Sequence, residues 1–184
     1  FENDGVISWD LMIERFNSDL ANTMGNLVNR TISMSNKYFG GVVENKNVCE
    51  EVDEDLKKVV LETEANVTAK MDELRVADSL EEIWTLFRRS NKYIDETEPW
   101  VICKDETKKD RLNTVLYNLV ESIRIGATLL SSYLPDTANS IFDQLQLDKK
   151  YLSKDYVDKF NAIEGTLKVT EKPVPLFARI DIEK

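Results

Sequence analysis

The chain has 184 residues, of which 42% are apolar and 32% charged, with a net charge of −10. That length supports one domain-sized core without disulfides or metal, and no apolar run approaches the roughly 20 residues that span a bilayer, so no membrane partner is expected. Histidine is absent from the sequence, which removes His-based acid–base catalysis, Ser/His and Cys/His nucleophile pairs and His-ligated metal sites.

Scarce Gly and Pro and recurring helical periodicity predict an all-α chain, an antiparallel bundle of about five to six helices over residues 1–184 as a single domain. The opening Phe1-Glu2-Asn3-Asp4-Gly5 has no basic and apolar leader pattern, and the chain reads as a piece of something longer. Ser8 is expected to cap a short helix reaching about Asn17. From Ser18 a longer helix should run to Gly40-Gly41, burying Leu20, Met24, Leu27, Met34 and Tyr38 and exposing Asn22, Asn26, Arg30, Ser33 and Lys37. Lone cysteines at Cys49 and Cys103 suit a reducing compartment, so a cytoplasmic location is expected.

Residues 44–82 hold 13 acids against 5 bases and carry most of the net negative charge. Val52, Leu56, Val59, Val60, Val67, Met71 and Leu74 predict a third helix there, with its charged face in solvent. Ser79 and Glu82 have the spacing of a capping box for a fourth helix that buries Leu80, Ile83, Trp84, Phe87 and Ile94 and ends before Pro99. Asp105 is expected to cap a fifth, with Leu112, Val115, Leu116, Leu119, Ile123, Ala127 and Leu130 inward and an end at Pro135. Ile141, Phe142 and Leu145 mark another helix, and residues 155–163 a short one closed by Gly165. The tail from 166 to 184 contains Pro173 and Pro175, so it is expected to lie extended over the bundle rather than to pair in a sheet.

Two features carry chemistry. Asn26 and Arg30 stand four apart on one helical face, where an amide and a guanidinium either form an ordinary solvated surface or read base edges by multi-point hydrogen bonding. Trp100 follows the helix-ending Pro99, where an indole either plugs the end of the bundle or offers a stacking platform to an unstacked base. A net charge of −10 is unfavourable for nucleic-acid binding. Residues 15–43 nevertheless hold three bases against one acid, and residues 83–111 seven against six, so both candidate segments escape the acidity.

The run Asn17-Ser18-Asp19-Leu20-Ala21-Asn22-Thr23-Met24-Gly25-Asn26-Leu27-Val28-Asn29-Arg30, the run Asn91-Lys92-Tyr93-Ile94-Asp95-Glu96 with Pro99-Trp100, and the terminal Pro175-Leu176-Phe177-Ala178-Arg179-Ile180-Asp181 resemble the region that follows the catalytic domain in bacterial methionyl-tRNA synthetases. The resemblance implies a class I synthetase anticodon-binding fold that recognises the CAU anticodon of methionine tRNAs. It implies an anticodon site made of Asn26, Arg30, Pro99 and Trp100, with the first anticodon base stacked at Trp100 and polar readout from Asn26 and Arg30. The partners implied are the tRNA anticodon loop and the catalytic domain of the parent chain, and DNA is not among them. The family's catalytic signatures are missing, so the chain should neither bind ATP nor activate methionine, which the parent would do; no metal or other cofactor is expected. Ala178 stands where the family commonly has proline, which bears on the local path of the tail. Two other readings are a helical bundle for protein–protein contact through its acidic face, and the anticodon domain of another class I synthetase.

Overall fold

The computed structural model describes residues 7–181. The leader reading at residues 1–5 and the end of the tail at 182–184 lie outside the described residues. Helix α1 (Trp9–Arg15) opens under Ser8, whose hydroxyl accepts from the Leu11 amide at 3.2 Å. The break expected near Asn17 and Ser18 does not occur. The helical path widens instead into π-helical turns, Phe16–Gly25, and returns to α geometry in α2 (Asn26–Phe39). Ser18 caps nothing, because its hydroxyl turns to the Arg15 carbonyl at 3.4 Å and the Asp19 carboxylate at 3.2 Å.

The buried face of α2 is Leu27, Val28, Thr31, Ile32 and Ser35, while Met34 and Tyr38 are only partly covered. Thr31 and Ser35 are tolerated inside because each hydroxyl donates to a carbonyl one turn back, at 2.9 and 2.8 Å. Gly40 and Gly41 then end the helix with φ of +59° and +85°, a region open to glycine. A Cβ at Gly41 would also stand 2.7 Å from Asn36 Oδ1.

The tail corrects the expectation of a sheet-free chain. Strand β1 (Val42–Glu44) pairs antiparallel with β2 (Thr166–Lys168), Val43 lying opposite Leu167. Both prolines fall after this short ladder, where they remove no bond from it. Beyond β2 the described tail is irregular, with bends at Glu171-Lys172 and Leu176-Phe177.

Helix α3 (Glu51–Asp72) and α4 (Val76–Thr97) are joined by residues 73–75 and pack on each other. A capping box of Glu50 and Asp53 opens α3. Most of its acids face solvent, but Asp53 is fully buried, and Met71 and Leu74, expected inside, are exposed. Helix α4 starts three residues before Ser79, so the expected capping box there is wrong. Ser79 is buried inside the helix, bonded to the Val76 carbonyl at 2.7 Å and to the Tyr133 hydroxyl at 2.6 Å. Ile83, Trp84, Phe87 and Ile94 are buried as expected and Leu80 partly so.

After the short α5 (Pro99–Ile102), Asp105 accepts from the Thr107 amide at 3.0 Å and caps a single 3-10 turn that leads into α6 (Lys109–Leu130). The sequence suggests a one-sided apolar stripe for α6. Instead Arg111 through Thr128 are buried all round, which marks the central helix of the bundle. A Cβ at Gly126 would lie 2.5 Å from Cε1 of the buried Phe87 ring, so glycine is what lets α4 approach α6. Pro135 does not end α6 but opens α7 (Pro135–Leu145), burying Ile141, Phe142 and Leu145.

The helix expected over residues 155–163 reduces to one turn, α8 (Lys154–Val157). Arg124 of α6, itself fully buried, explains the rest. Its guanidinium donates to the carbonyls of Tyr156 at 2.9 Å and Lys159 at 2.5 Å and pairs with buried Glu121 at 2.7 Å. Glu121 in turn accepts from the Ile163 amide at 2.7 Å. Side chains of α6 thus satisfy the backbone groups that a helix would otherwise have paired.

Candidate nucleic-acid interface

Asn26 is the first residue after the π-helical turns, and its amide donates to the Ala21 carbonyl five residues back. Ten residues of π geometry are unusual, since such turns ordinarily occur singly. Helix α4 pins them. Trp84 Nε1 donates to the Asp19 carbonyl at 3.3 Å, and the Asn91 amide donates to Thr23 at 2.9 Å. Gly25 sits where a Cβ would meet the Leu20 carbonyl at 3.1 Å, a close approach that a bare Cα accommodates.

Asn26 is exposed, Arg30 is partly buried, and both line one open cavity of about 450 Å³ with Asn22 and, from α4, Asn91, Lys92 and Asp95. Arg30 reaches the Asp95 carboxylate at 3.4 Å. The pair is solvent-accessible on both sides, so it is worth little to stability and is readily exchanged for a ligand. Lys92 is engaged similarly with Glu96, at 3.3 Å.

Trp100 is not part of that lining. Pro99 is buried at the first position of α5, and Glu98 before it takes a left-handed φ of +44° that turns the chain sharply out of α4. Trp100 emerges from this corner 41% exposed. Asn26 and Arg30 thus share one cleft, and Trp100 stands outside it, at the corner between α4 and α5. Burial, and after it the neighbouring Cys103 thiol, push the Tyr38 phenol up from its ordinary value.

The sequence reading missed Asp95, Asn22 and Asn91 as parts of the site. Asn22 precedes Asn26 by four on the same helical path, but only the packing of α4 on the π turns brings Asn91 and Asp95 beside it. Cys49 and Cys103 are both free thiols. Among the described residues no group of three or more Cys, Asp or Glu is arranged to hold a metal ion, and no helix is long and apolar enough to cross a membrane.

Fold and surface together define an all-α binding domain of the type found in aminoacyl-tRNA synthetases. The structure superimposes on the apo form of Mycobacterium tuberculosis methionyl-tRNA synthetase with a TM-score of 0.88 at 30% identity, over 98% of this chain and 36% of that one. All of the chain is similar to the methionine–tRNA ligases of Clostridium tetani, at 44% identity, and Caldanaerobacter subterraneus, at 45%. It spans 28% of the length of each of these curated relatives. Residues 43–184 match the family described as the anticodon binding domain of methionyl tRNA ligase. The chain belongs to that family.

Proposed function

We propose that the chain binds the anticodon loop of methionine tRNAs, reads the CAU anticodon at Asn26, Arg30, Pro99 and Trp100, and acts as one domain of a cytoplasmic enzyme that ligates methionine to tRNA with ATP. The observation that carries this reading is one cleft that joins an exposed amide to an exchangeable guanidinium, with a half-exposed indole at the corner that follows α4. Planar hydrogen-bonding groups and an aromatic platform suit unstacked bases of a single-stranded loop. The first anticodon base stacks on Trp100, whose corner is fixed by buried Pro99. Base edges meet Asn26 and Arg30. The catalytic part of the parent packs against the N-terminal end, where Ile7, Trp9, Leu11 and Met12 present exposed apolar side chains.

Arg30→Ala is expected to weaken binding of a CAU stem-loop and to reduce its salt dependence, because a guanidinium meets phosphate as well as base. Folding should be unaffected, since the pair with Asp95 is a surface one. Titration across a salt series checks this, and unchanged binding at every salt concentration rejects a role for Arg30. Chemistry is assigned to the parent alone. The purified chain should therefore support no methionine-dependent pyrophosphate exchange with ATP, and turnover above a blank preparation would overturn that assignment.

A further inference from the structure

The tail builds a second wall beside the Asn26 cleft. After β2 it runs back along the first helical segments. The Asn36 amide donates to the Thr170 carbonyl at 2.8 Å, and the Phe177 ring meets Phe16 edge-on at 5.6 Å. Asn17 then grips the backbone of Ile180 twice, donating to its carbonyl and accepting from its amide, each at 2.8 Å. Between tail and helix lies a cavity of about 240 Å³ lined by Asn22, Asn26, Asn29, Pro175, Phe177 and Arg179. Asn22 and Asn26 line both cavities, so the two clefts share one wall of amides.

Their cations differ. In the first cleft Arg30 is matched by Asp95, Lys92 by Glu96 and Arg88 by Glu81. Arg179 is exposed, and among the described residues nothing is paired with it. An unpaired surface arginine is ordinary by itself. This one stands next to Ile180, whose backbone Asn17 fixes from a helix, and opens onto a cleft of three amides. A guanidinium without a carboxylate, held on an anchored backbone, presents its fork of donors to an incoming phosphate.

We propose that this second cleft takes the sugar–phosphate backbone of the same RNA loop, with Arg179 on a phosphate oxygen and Asn17 as the positioning residue that holds the tail for it. The proposal rests on the anticodon-loop reading. Phosphate contacts set register without reading sequence, so Arg179 contributes equally to every loop, whereas Trp100 discriminates among them.

The test titrates the chain and its Arg179→Ala, Arg179→Lys, Asn17→Ala and Asn17→Ala/Arg179→Ala variants with a CAU stem-loop and with one altered at the first anticodon base, over a salt series. Arg179→Ala should lose affinity on the order of tenfold for both loops, keep their ratio, and reduce the slope of log affinity against log salt by about 0.7. Arg179→Lys should recover part of the loss, because the charge remains. Asn17→Ala should lose less than Arg179→Ala, and the double variant should match Arg179→Ala alone, since Asn17 acts through Arg179. Losses that add in the double variant overturn the positioning role. Losses that depend on loop sequence overturn the phosphate assignment. If Arg179→Ala binds like the unaltered chain while Trp100→Ala does not, this proposal falls and the anticodon reading stands. If the unaltered chain binds neither loop, the anticodon reading falls first and takes the second cleft with it.

Discussion

Trp100→Ala is expected to leave the chain folded while removing most of its preference for a CAU loop. The two roles open to this tryptophan predict different losses. An indole that plugged the bundle would cost about 3–5 kcal/mol of folding stability when truncated. Trp100 is 41% exposed and sits on a four-residue helix outside the buried cluster, so little packing is lost. A stacking platform contributes roughly 1–3 kcal/mol per base, or about five- to more than a hundredfold in affinity. The helical circular-dichroism signal and melting temperature should therefore stay close to those of the unaltered chain. Affinity for a CAU stem-loop should fall within that range, and discrimination at the first base should disappear. Phe or Tyr at position 100 should restore part of it, since either supplies a ring of smaller area. A collapse in melting temperature, or a CAU preference that survives in the folded Ala variant, would show that Trp100 is packing rather than platform.

The placement of Asn26 and Arg30 in one cleft was legible because its signal is local. Asn26 and Arg30 are four apart, and helical geometry alone puts them together; Pro99 forces the corner that turns out Trp100. Where the reading failed, the deciding partner lay far along the chain. The π turns between Phe16 and Gly25 have no periodic signature, since the bonds that hold them come from Trp84 and Asn91, more than sixty residues on. Ser79 has the spacing of a cap, but its hydroxyl is claimed by Tyr133 and by its own helix. Strand β2 exists because Val43 and Leu167 bury each other's ladder, which no pattern within either segment of three residues can announce. Arg179 belonged to a quoted run, yet its neighbourhood of amides arises only when Asn17 catches the tail.

The buried polar residues of the bundle were the least legible, because a charged residue in a helical pattern is normally assigned to solvent. Asp53 is the extreme case. It lies within the most acidic stretch of the chain and is fully buried. Its carboxylate accepts two hydrogen bonds from the Arg111 guanidinium, at 2.7 and 2.9 Å, one from the Tyr93 hydroxyl at 2.5 Å and one from the Glu50 amide at 2.8 Å. A single side chain thereby ties the start of α3 to the end of α4 and the start of α6.

Asp53→Ala is accordingly expected to be the most damaging single change to stability among those considered. It takes the two-pronged acceptor from the buried Arg111 guanidinium, which keeps the Val48 carbonyl and the Glu50 carboxylate, and the acceptor from the buried Tyr93 hydroxyl, which keeps the Asn118 amide. Breaking a buried pair from one side costs about 3–5 kcal/mol. For a chain of this size that corresponds to a fall in melting temperature of roughly 6–20 °C. The loss should also depend on pH, with a sign fixed by the carboxyl itself. Burial disfavours the ionised form, but the hydrogen bonds from Arg111 and Tyr93 outweigh it and hold Asp53 below the usual carboxylate range in the folded chain. Ionised Asp53 therefore contributes its full stabilisation above about pH 4, the unfolded value, and loses it as pH falls through the lower folded value. Denaturant melts of the unaltered chain and the Ala variant should show a stability gap that is constant from neutral pH down to about pH 5 and narrows in stronger acid. A gap of less than about 1 kcal/mol at neutral pH, or one that does not narrow in acid, would mean that packing around the three helix ends, rather than the ionised carboxylate, holds them together.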